Sequence, residues 1–375
     1  MTEPSSFKNI LCIRADNMGD LIMSSPAIRA LKETYNCKIT VLTSSASKAI
    51  ARYIREIDEV IVYDLPWIKT DKEVSRESFF EVVDELKERR FDAAFIFTVY
   101  SQNPLPAAML AYLAGIPRRV AYCRENPYDL LTDWLPDEEP YTFIRHQVRR
   151  DLDLVAKVGA YTENEKLSLD INEDNWDALK SKLSEFGFND NKPWLILHPG
   201  VSEEKRQYPK HLWVEAAKVL RNEFQLLFTG GPTESNLTDE LSQAAGEGAF
   251  SLGGKLSLDE FILLIKKSPL VVSVNTGTIH LAAAVNTPVI VLYALTNPQH
   301  LPWKSQGKVL PFDVPPEKRS KNEVIRFVNQ TVFSETAPMI EPGEIINSVY
   351  EIISGQHTAV FPELVTTEQA VANRF

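Results

Sequence analysis

Short apolar runs of β type alternate with amphipathic helical stretches along this chain. Repeated strand–helix alternation is the pattern of a parallel sheet with helices packed on both faces. Residues 9–14 (NILCIR), 38–43 (KITVLT), 60–63 (VIVY) and 93–98 (AAFIFT) read as buried strands. Between the last two, 75–90 sets Phe79, Phe80, Val83 and Leu86 at helical spacing. A helix is expected to open at Ser25-Pro26, because serine caps well and proline loses nothing in a first turn.

The alternation breaks over 160–192, which is rich in Asn, Asp and Glu and holds one helical segment at 173–186. It restarts at 194–198 (WLILH), with further strands at 225–229, 270–274 and 288–292 and helices at 209–222, 233–245, 257–267 and 278–285. Residues 311–335 read as irregular, 342–354 as a last amphipathic helix, and the tail after 356 lacks periodicity. A chain of 375 residues is long enough for two cores, expected over 1–165 and 166–335. With 44% apolar and 24% charged residues it is not a disordered chain, and a net charge of −11 argues against a general nucleic-acid binder. The apolar runs at 107–114 and 288–292 are too short to span a bilayer. The opening MTEPSSFKN lacks the basic and apolar regions of a secretory leader. Cys12, Cys37 and Cys123 lie too far apart for a metal site and suit buried thiols in a reducing compartment.

In open α/β sheets ligands bind beyond the carboxyl ends of strands, and four polar turns stand there. In Asp16-Asn17-Met18-Gly19-Asp20, Gly19 allows a tight turn, and Asp20 either takes a proton from an attacking hydroxyl or merely caps the next helix. His198-Pro199-Gly200-Val201-Ser202, with Lys205 and Arg206, is a phosphate environment or a solvated loop. Thr229-Gly230-Gly231 lets backbone approach a ligand, and Glu234 is placed to accept from ribose hydroxyls; a plain strand–helix turn is the alternative. Asn275-Thr276-Gly277-Thr278 opens a helix whose N–H groups suit a diphosphate, and His280 either bonds a ligand or satisfies a buried neighbour. There is no GxxxxGK[ST], no GxGxxG after the first strand, no GxSxG and no metal-spaced ligand set.

The run ILCIRADNMGDLIMSSPAIRALKETY resembles the opening of glycosyltransferase family 9, the heptosyltransferases. LHPG, KRQYP, TGGPTE, SLGGKLSLDEF, VNTGTIHLAAAVNTPVIVLY and TNPQH, in that order over 194–301, resemble its second half. The resemblance implies a GT-B fold of two Rossmann-like domains facing a cleft, the first for the acceptor and the second for a nucleotide sugar. It further implies that the last helix, within 336–375, returns to the first domain. The implied chemistry is inverting, metal-independent sugar transfer without a cofactor, from a donor such as ADP-heptose to a lipopolysaccharide or surface-glycan acceptor. Asp20 matches the catalytic aspartate. Ser202, Lys205, Arg206, Gly230, Glu234, Asn275, Thr276, Gly277, Thr278 and His280 fall at donor positions.

The chain departs from the family pattern in three places. Asn275 stands where D-[ST]-G-x-x-H has an acid, Asn297 where G-P-T-D-P has another, and Arg206-Gln207-Tyr208-Pro209 replaces K-x-W-P. These changes point to a donor or acceptor other than the usual heptose pair. On the acceptor side, Gly19, Arg119 and Arg124 are the candidates; Arg118, Arg119 and Arg124 offer an anionic glycolipid a patch or form a solvated charge cluster. The expected setting is cytoplasmic, with peripheral contact at the inner membrane face. Two other readings are a sugar-nucleotide epimerase of the same architecture and a catalytically weakened nucleotide-sugar binding protein.

Overall fold

The structure is a computed structural model that describes residues 7–68, 74–331, 337–355 and the backbone of 364–366. Residues 1–6, read above for a secretory leader, and most of the tail after 356, read above for periodicity, lie outside the described residues. The chain divides into two compact units between Ser168 and Leu169, close to the expected boundary.

The first unit runs β1 (Asn9–Ile13), α1 (Met18–Tyr35), β2 (Lys38–Thr43), α2 (Lys48–Ala51), β3 (Glu59–Val62), α3 (Arg76–Arg89), β4 (Ala93–Ile96), α4 (Leu105–Leu113), β5 (Arg118–Cys123), β6 (Asp133–Pro136), β7 (Phe143–Arg145) and α5 (Gln147–Ala156). Its six-stranded parallel sheet has the order β3-β2-β1-β4-β5-β6. The second unit runs α6 (Trp176–Ser184), β8 (Trp194–His198), α7 (Lys210–Leu220), β9 (Gln225–Phe228), α8 (Ser235–Ala245), β10 (Ala249–Ser251), α9 (Leu258–Lys267), β11 (Val271–Val274), α10 (Gly277–Ala284), β12 (Val289–Ala294), β13 (Gly307–Phe312), α11 (Glu323–Thr331) and α12 (Pro342–Ile353). Its parallel sheet has the order β10-β9-β8-β11-β12-β13. Both are doubly wound sheets whose winding reverses between the first and fourth strands, and that reversal opens a crevice at the carboxyl edge. In register, Ile13 faces Ile96 across the first crevice and His198 faces Ser273 across the second.

The strands are continuous apolar runs because helices cover both faces. Leu11, Ile13, Leu86, Ile96 and Ala121 anchor one core. Leu197, Trp213, Phe228, Val272 and Leu292 anchor the other.

Three expectations are corrected. The first helix opens at Met18, not at Ser25-Pro26, because Asn17 and Asp20 cap it earlier. Pro26 then lies inside α1 and forfeits one helical hydrogen bond. Every residue from Gly19 to Leu31 is buried, so packing, chiefly against α5, holds the helix in place of that bond. The last helix does not return to the first unit. Ile345 and Val349 of α12 enter the second core, α12 packs on α7, and Tyr350 donates to Glu223 at 2.8 Å. What returns to the first unit is a short strand, β14 (Leu364–Thr366), antiparallel to β7. Finally, 311–335 is only partly irregular, since α11 lies within it.

Candidate active site

β1 ends at Ile13, and the next side chain, Arg14, is completely buried. Its Nη2 lies 3.2 Å from Asp20 Oδ1 and its Nε 3.3 Å from Asp16 Oδ2. The other Asp20 oxygen accepts from the Asn17 backbone N–H at 3.1 Å, so the cap orients this carboxylate as well as closing the helix. Gln102, from the turn after β4, donates to Asp16 Oδ1 at 2.5 Å. Two carboxylates thus share one guanidinium at the first crevice. Burial alone would lower the Arg14 pKa, but Asp16 and Asp20 raise it. Burial also lifts Asp16, Arg14 opposes that, and the Asp20 charge adds to it.

Behind this group Asp151 of α5 accepts from Ser24 Oγ and Gln147 Nε2, both at 2.7 Å. Burial pushes its carboxyl up to about 6 against the pull of Arg14. Arg150 beside it is fully buried, donating to Asp137 at 2.7 and 2.9 Å, to Glu139 at 2.6 Å and to the Thr98 carbonyl at 2.9 Å.

The acceptor candidates divide. Gly19 lies in the buried first turn of α1 beside Asp20. Arg124 follows the carboxyl end of β5 and donates to the carbonyls of Tyr100 and Glu139. Arg119 does not join them. It lies near the amino end of β5, the opposite edge of the sheet from Asp20, and its guanidinium is taken up by the carbonyls of Ile116, Leu130 and Asp129. It is buried and secures a loop, so it forms no cationic surface patch.

In the second unit the turns after β9, β8, β11 and β12 stand side by side, as the strand order requires. Glu234 Oε2 accepts from the Gly231 N–H at 2.7 Å, and its carboxylate lies against Gly200, where a Cβ would come 2.0 Å from Oε1. Gly230 is similarly close: its Cβ would lie 2.9 Å from that of Glu234. Ser202 is exposed in the turn after β8. Lys205 and Arg206 flank Glu203 at 3.3 and 2.9 Å. Arg206 Nη1 crosses the crevice to the Asn275 carbonyl at 3.2 Å. Arg206 Nε and Thr276 Oγ1 are buried without a hydrogen-bond partner beside the first turn of α10, where Gly277 and Thr278 lie.

The Asn275 side chain faces its own sheet. Its Oδ1 accepts from the Ala294 N–H at 3.2 Å while Nδ2 donates to Thr296 Oγ1 at 3.2 Å, tying the ends of β11 and β12 together. The clamp uses a donor and an acceptor at once, which a carboxylate cannot supply. Asn297 likewise accepts from the Gln299 N–H at 3.0 Å to hold its turn, while His280 is buried edge-on to His300 at 6.4 Å.

His198 is stacked on Phe261 at 5.5 Å and bonds Thr229 Oγ1 at 3.0 Å, and burial pulls its pKa down to about 4. The imidazole is therefore neutral in the folded unit. Above pH 6.5 it contributes stability that is lost as pH falls through about 4, since the unfolded chain then binds the proton more tightly. Asp151 runs the other way: its contribution is full below 3.8 and is lost as pH rises through about 6. Scanning calorimetry from pH 7 to 4 should therefore show the second unit losing stability relative to the first, by an amount on the order of 3 kcal/mol for His198. His198→Gln should flatten that difference.

Arg14, Asp16, Gln102 and Asp151 were not singled out as site residues by the sequence. For Arg14 and Asp16 the signal was an R-A-D-x-x-x-D run straight after the first apolar strand; Gln102 and Asp151 carried none. Among the described residues no group of three or more His, Cys, Asp or Glu is disposed to hold a metal ion, and no helix is long and apolar enough to cross a membrane.

Two doubly wound α/β units, each with polar turns at its switch point, make this a protein of the GT-B fold class. The family model for glycosyltransferase family 9 (heptosyltransferase) matches residues 79–324. The chain belongs to that family and is a glycosyltransferase. It is 25% identical over 308 residues to lipopolysaccharide heptosyltransferase 2 of Escherichia coli K12, covering 78% of this chain and 84% of that one. Among solved structures, the family 9 glycosyl transferase of Veillonella parvula has a TM-score of 0.73 at 17% identity, covering 93% of this chain and 97% of its own. The ADP-heptose lps heptosyltransferase II of E. coli has a TM-score of 0.70 at 21% identity, covering 93% and 99%.

Proposed function

We propose that this glycosyltransferase moves a heptose or a related sugar, with inversion and without a metal, from an ADP-linked donor to a lipopolysaccharide or surface-glycan acceptor. In this reading the acceptor hydroxyl attacks the anomeric carbon, its proton passes to Asp20, and the C1–O bond to the diphosphate breaks with the electron pair leaving on phosphate oxygen. Charge that develops on the diphosphate meets donors fixed in advance, which need not reorganise as the bond breaks. Those donors are Arg206, Lys205, the Ser202 hydroxyl and the N–H groups of Gly277 and Thr278 at the positive end of α10. Glu234 takes the ribose hydroxyls. The reaction belongs in the cytoplasm, with peripheral contact at the inner membrane.

The observation that carries this reading is the pair of orphaned donors at the second crevice. Arg206 Nε and Thr276 Oγ1 are buried without a protein partner at one helix N-terminus. Buried polar groups are rarely left so, and an anionic ligand satisfies both. The heptosyltransferase relatives support the sugar and the acceptor.

The test is nucleotide release from a panel of ADP- and UDP-sugars with and without acceptor glycolipid. Release that requires acceptor supports transfer, and the sugar that gives the greatest release identifies the donor, ADP-heptose or a relative of it; interconversion of free nucleotide sugars without acceptor would point to an epimerase instead. Gly200→Ala should push the Glu234 carboxylate aside, since the obstructing atoms are the far end of a flexible side chain. Losing that charged hydrogen-bond acceptor should weaken nucleotide binding roughly tenfold with little change in melting temperature, measured by calorimetric titration of ADP.

A further inference from the structure

Three charges crowd the turn after β8. Lys205 Nζ lies 3.3 Å and Arg206 Nη2 2.9 Å from the same oxygen, Oε2 of Glu203. Among the described residues no other carboxylate pairs with either cation, and the neighbouring Glu204 is drawn off to Lys318 at 2.6 Å. The Glu203 side chain is 33% exposed and each cation 24%, so water screens the group only in part.

The contact is close but poorly aligned. Glu203 Oε2 and Arg206 Nε are both buried without a hydrogen-bond partner. The carboxylate thus supplies charge at ion-pair distance without the geometry of a charge-assisted hydrogen bond, which is the strong form of such a contact. A ligand whose oxygens align with the same donors will displace it. Two cations and one carboxylate leave the empty site with a single net positive charge. A diphosphate carries more negative charge than the carboxylate and has enough oxygens to meet both cations. Once it is bound, Glu203 faces like charge and must turn to solvent or stay at a cost.

We infer that Glu203 is a built-in counter-ion that stands in for the diphosphate between Lys205 and Arg206, competes with it and speeds the departure of the spent nucleotide. This rests on the reading that those two cations hold the donor's diphosphate; it needs neither the sugar nor the acceptor. Breaking the C1–O bond leaves the nucleotide with more negative charge than the donor had, so the cations alone would hold the product more tightly than the substrate. A carboxylate within reach of both offsets that. Removing it spares the turn, because Arg206 N donates to the Glu203 backbone carbonyl at 2.9 Å whatever the side chain.

The experiment titrates ADP and adenosine into the full chain as the parent, Glu203→Gln, Glu203→Ala and Arg206→Met, at low and high NaCl, and follows ADP dissociation by stopped flow. Both Glu203 variants should bind ADP about tenfold more tightly, through slower dissociation, because one nearby like charge has gone. Adenosine affinity should not change. ADP affinity should fall more steeply with salt in the Glu203 variants than in the parent, since the cations are then uncompensated. A carboxylate that only held the turn would, on removal, weaken ADP binding or leave it as it was. ADP binding that is unchanged or weaker in both Glu203 variants, with Arg206→Met weakening it, overturns the inference and leaves the donor site where it is proposed. If Arg206→Met leaves ADP affinity unaltered, the diphosphate lies elsewhere, and the reading of the donor site falls together with the inference.

Discussion

Asp20→Asn should abolish most transfer while leaving the protein folded and the donor bound. A positioned general base contributes roughly 10²–10⁴ in rate, so kcat should fall by about that factor. The replacement is isosteric, and its amide oxygen can still accept from the Asn17 N–H that now meets Asp20 Oδ2 at 3.1 Å. Arg14 loses one of its two carboxylates but keeps Asp16 at 3.3 Å, so a fully buried guanidinium is not left without a counter-charge. The cost to stability should accordingly be modest, about 1–2 kcal/mol for a weakened charged hydrogen bond. ADP affinity, read by titration, should stay within twofold, because the residues proposed to hold the nucleotide are in the other unit. This combination separates a base from a cap: a residue that only closes α1 would lower the melting temperature and spare kcat. Transfer retained above a tenth of the parent rate would remove Asp20 from its role.

The turns at the carboxyl edges were legible because, in an α/β chain, a glycine or polar cluster directly after an apolar run marks the point where a strand stops and the backbone turns towards a helix. Strands such as β8 and β12 were equally plain, being buried on both faces and therefore unbroken in hydrophobicity. What the sequence concealed were buried charges. Arg14 looks like the solvated end of a strand. Arg150 and Asp151 interrupt the apolar spacing of α5, so that helix was not foreseen, although both are fully enclosed. β5 opens on Arg118 and Arg119, which mimic a surface patch because spacing along a chain does not reveal which carbonyls a guanidinium will meet. α12 shows the converse limit. Its amphipathic face announces burial but not against what, and the covering partner is α7 rather than the first unit. Asn275 differs from both cases. Its amide was visible as a departure from the family acid, and only the contacts with Ala294 and Thr296 give that amide a structural task.

The largest stability effect should come from Arg150→Met. Both terminal nitrogens of Arg150 are committed to carboxylates, Asp137 through a bidentate pair at 2.7 and 2.9 Å and Glu139 at 2.6 Å, and the ring of Tyr122 lies 4.2 Å from the guanidinium carbon. Burial disfavours the charge, but these carboxylates and their hydrogen bonds hold it and push the arginine pKa up. Methionine fills much of the volume and supplies none of the charge, so two buried carboxylates lose their principal partner. Removing one member of such a group costs about 3–5 kcal/mol. Arg145 N still donates to Glu139 at 2.6 Å, and Arg124 lies 3.7 Å from Asp137, which keeps the loss within that range rather than beyond it. Urea unfolding should show the first unit melting earlier by that amount, with the second unit unchanged. Adding Asp137→Asn and Glu139→Gln to the Met variant should restore part of the loss, because the penalty comes from stranded charge rather than from the missing side chain. If the triple change were no more stable than Arg150→Met alone, packing around Tyr122 and α5 would be the source. The consequence reaches the site, since α5 brings both Arg150 and Asp151 and packs along α1, which carries Asp20. The ionic cluster therefore supports the wall against which the proposed base is set.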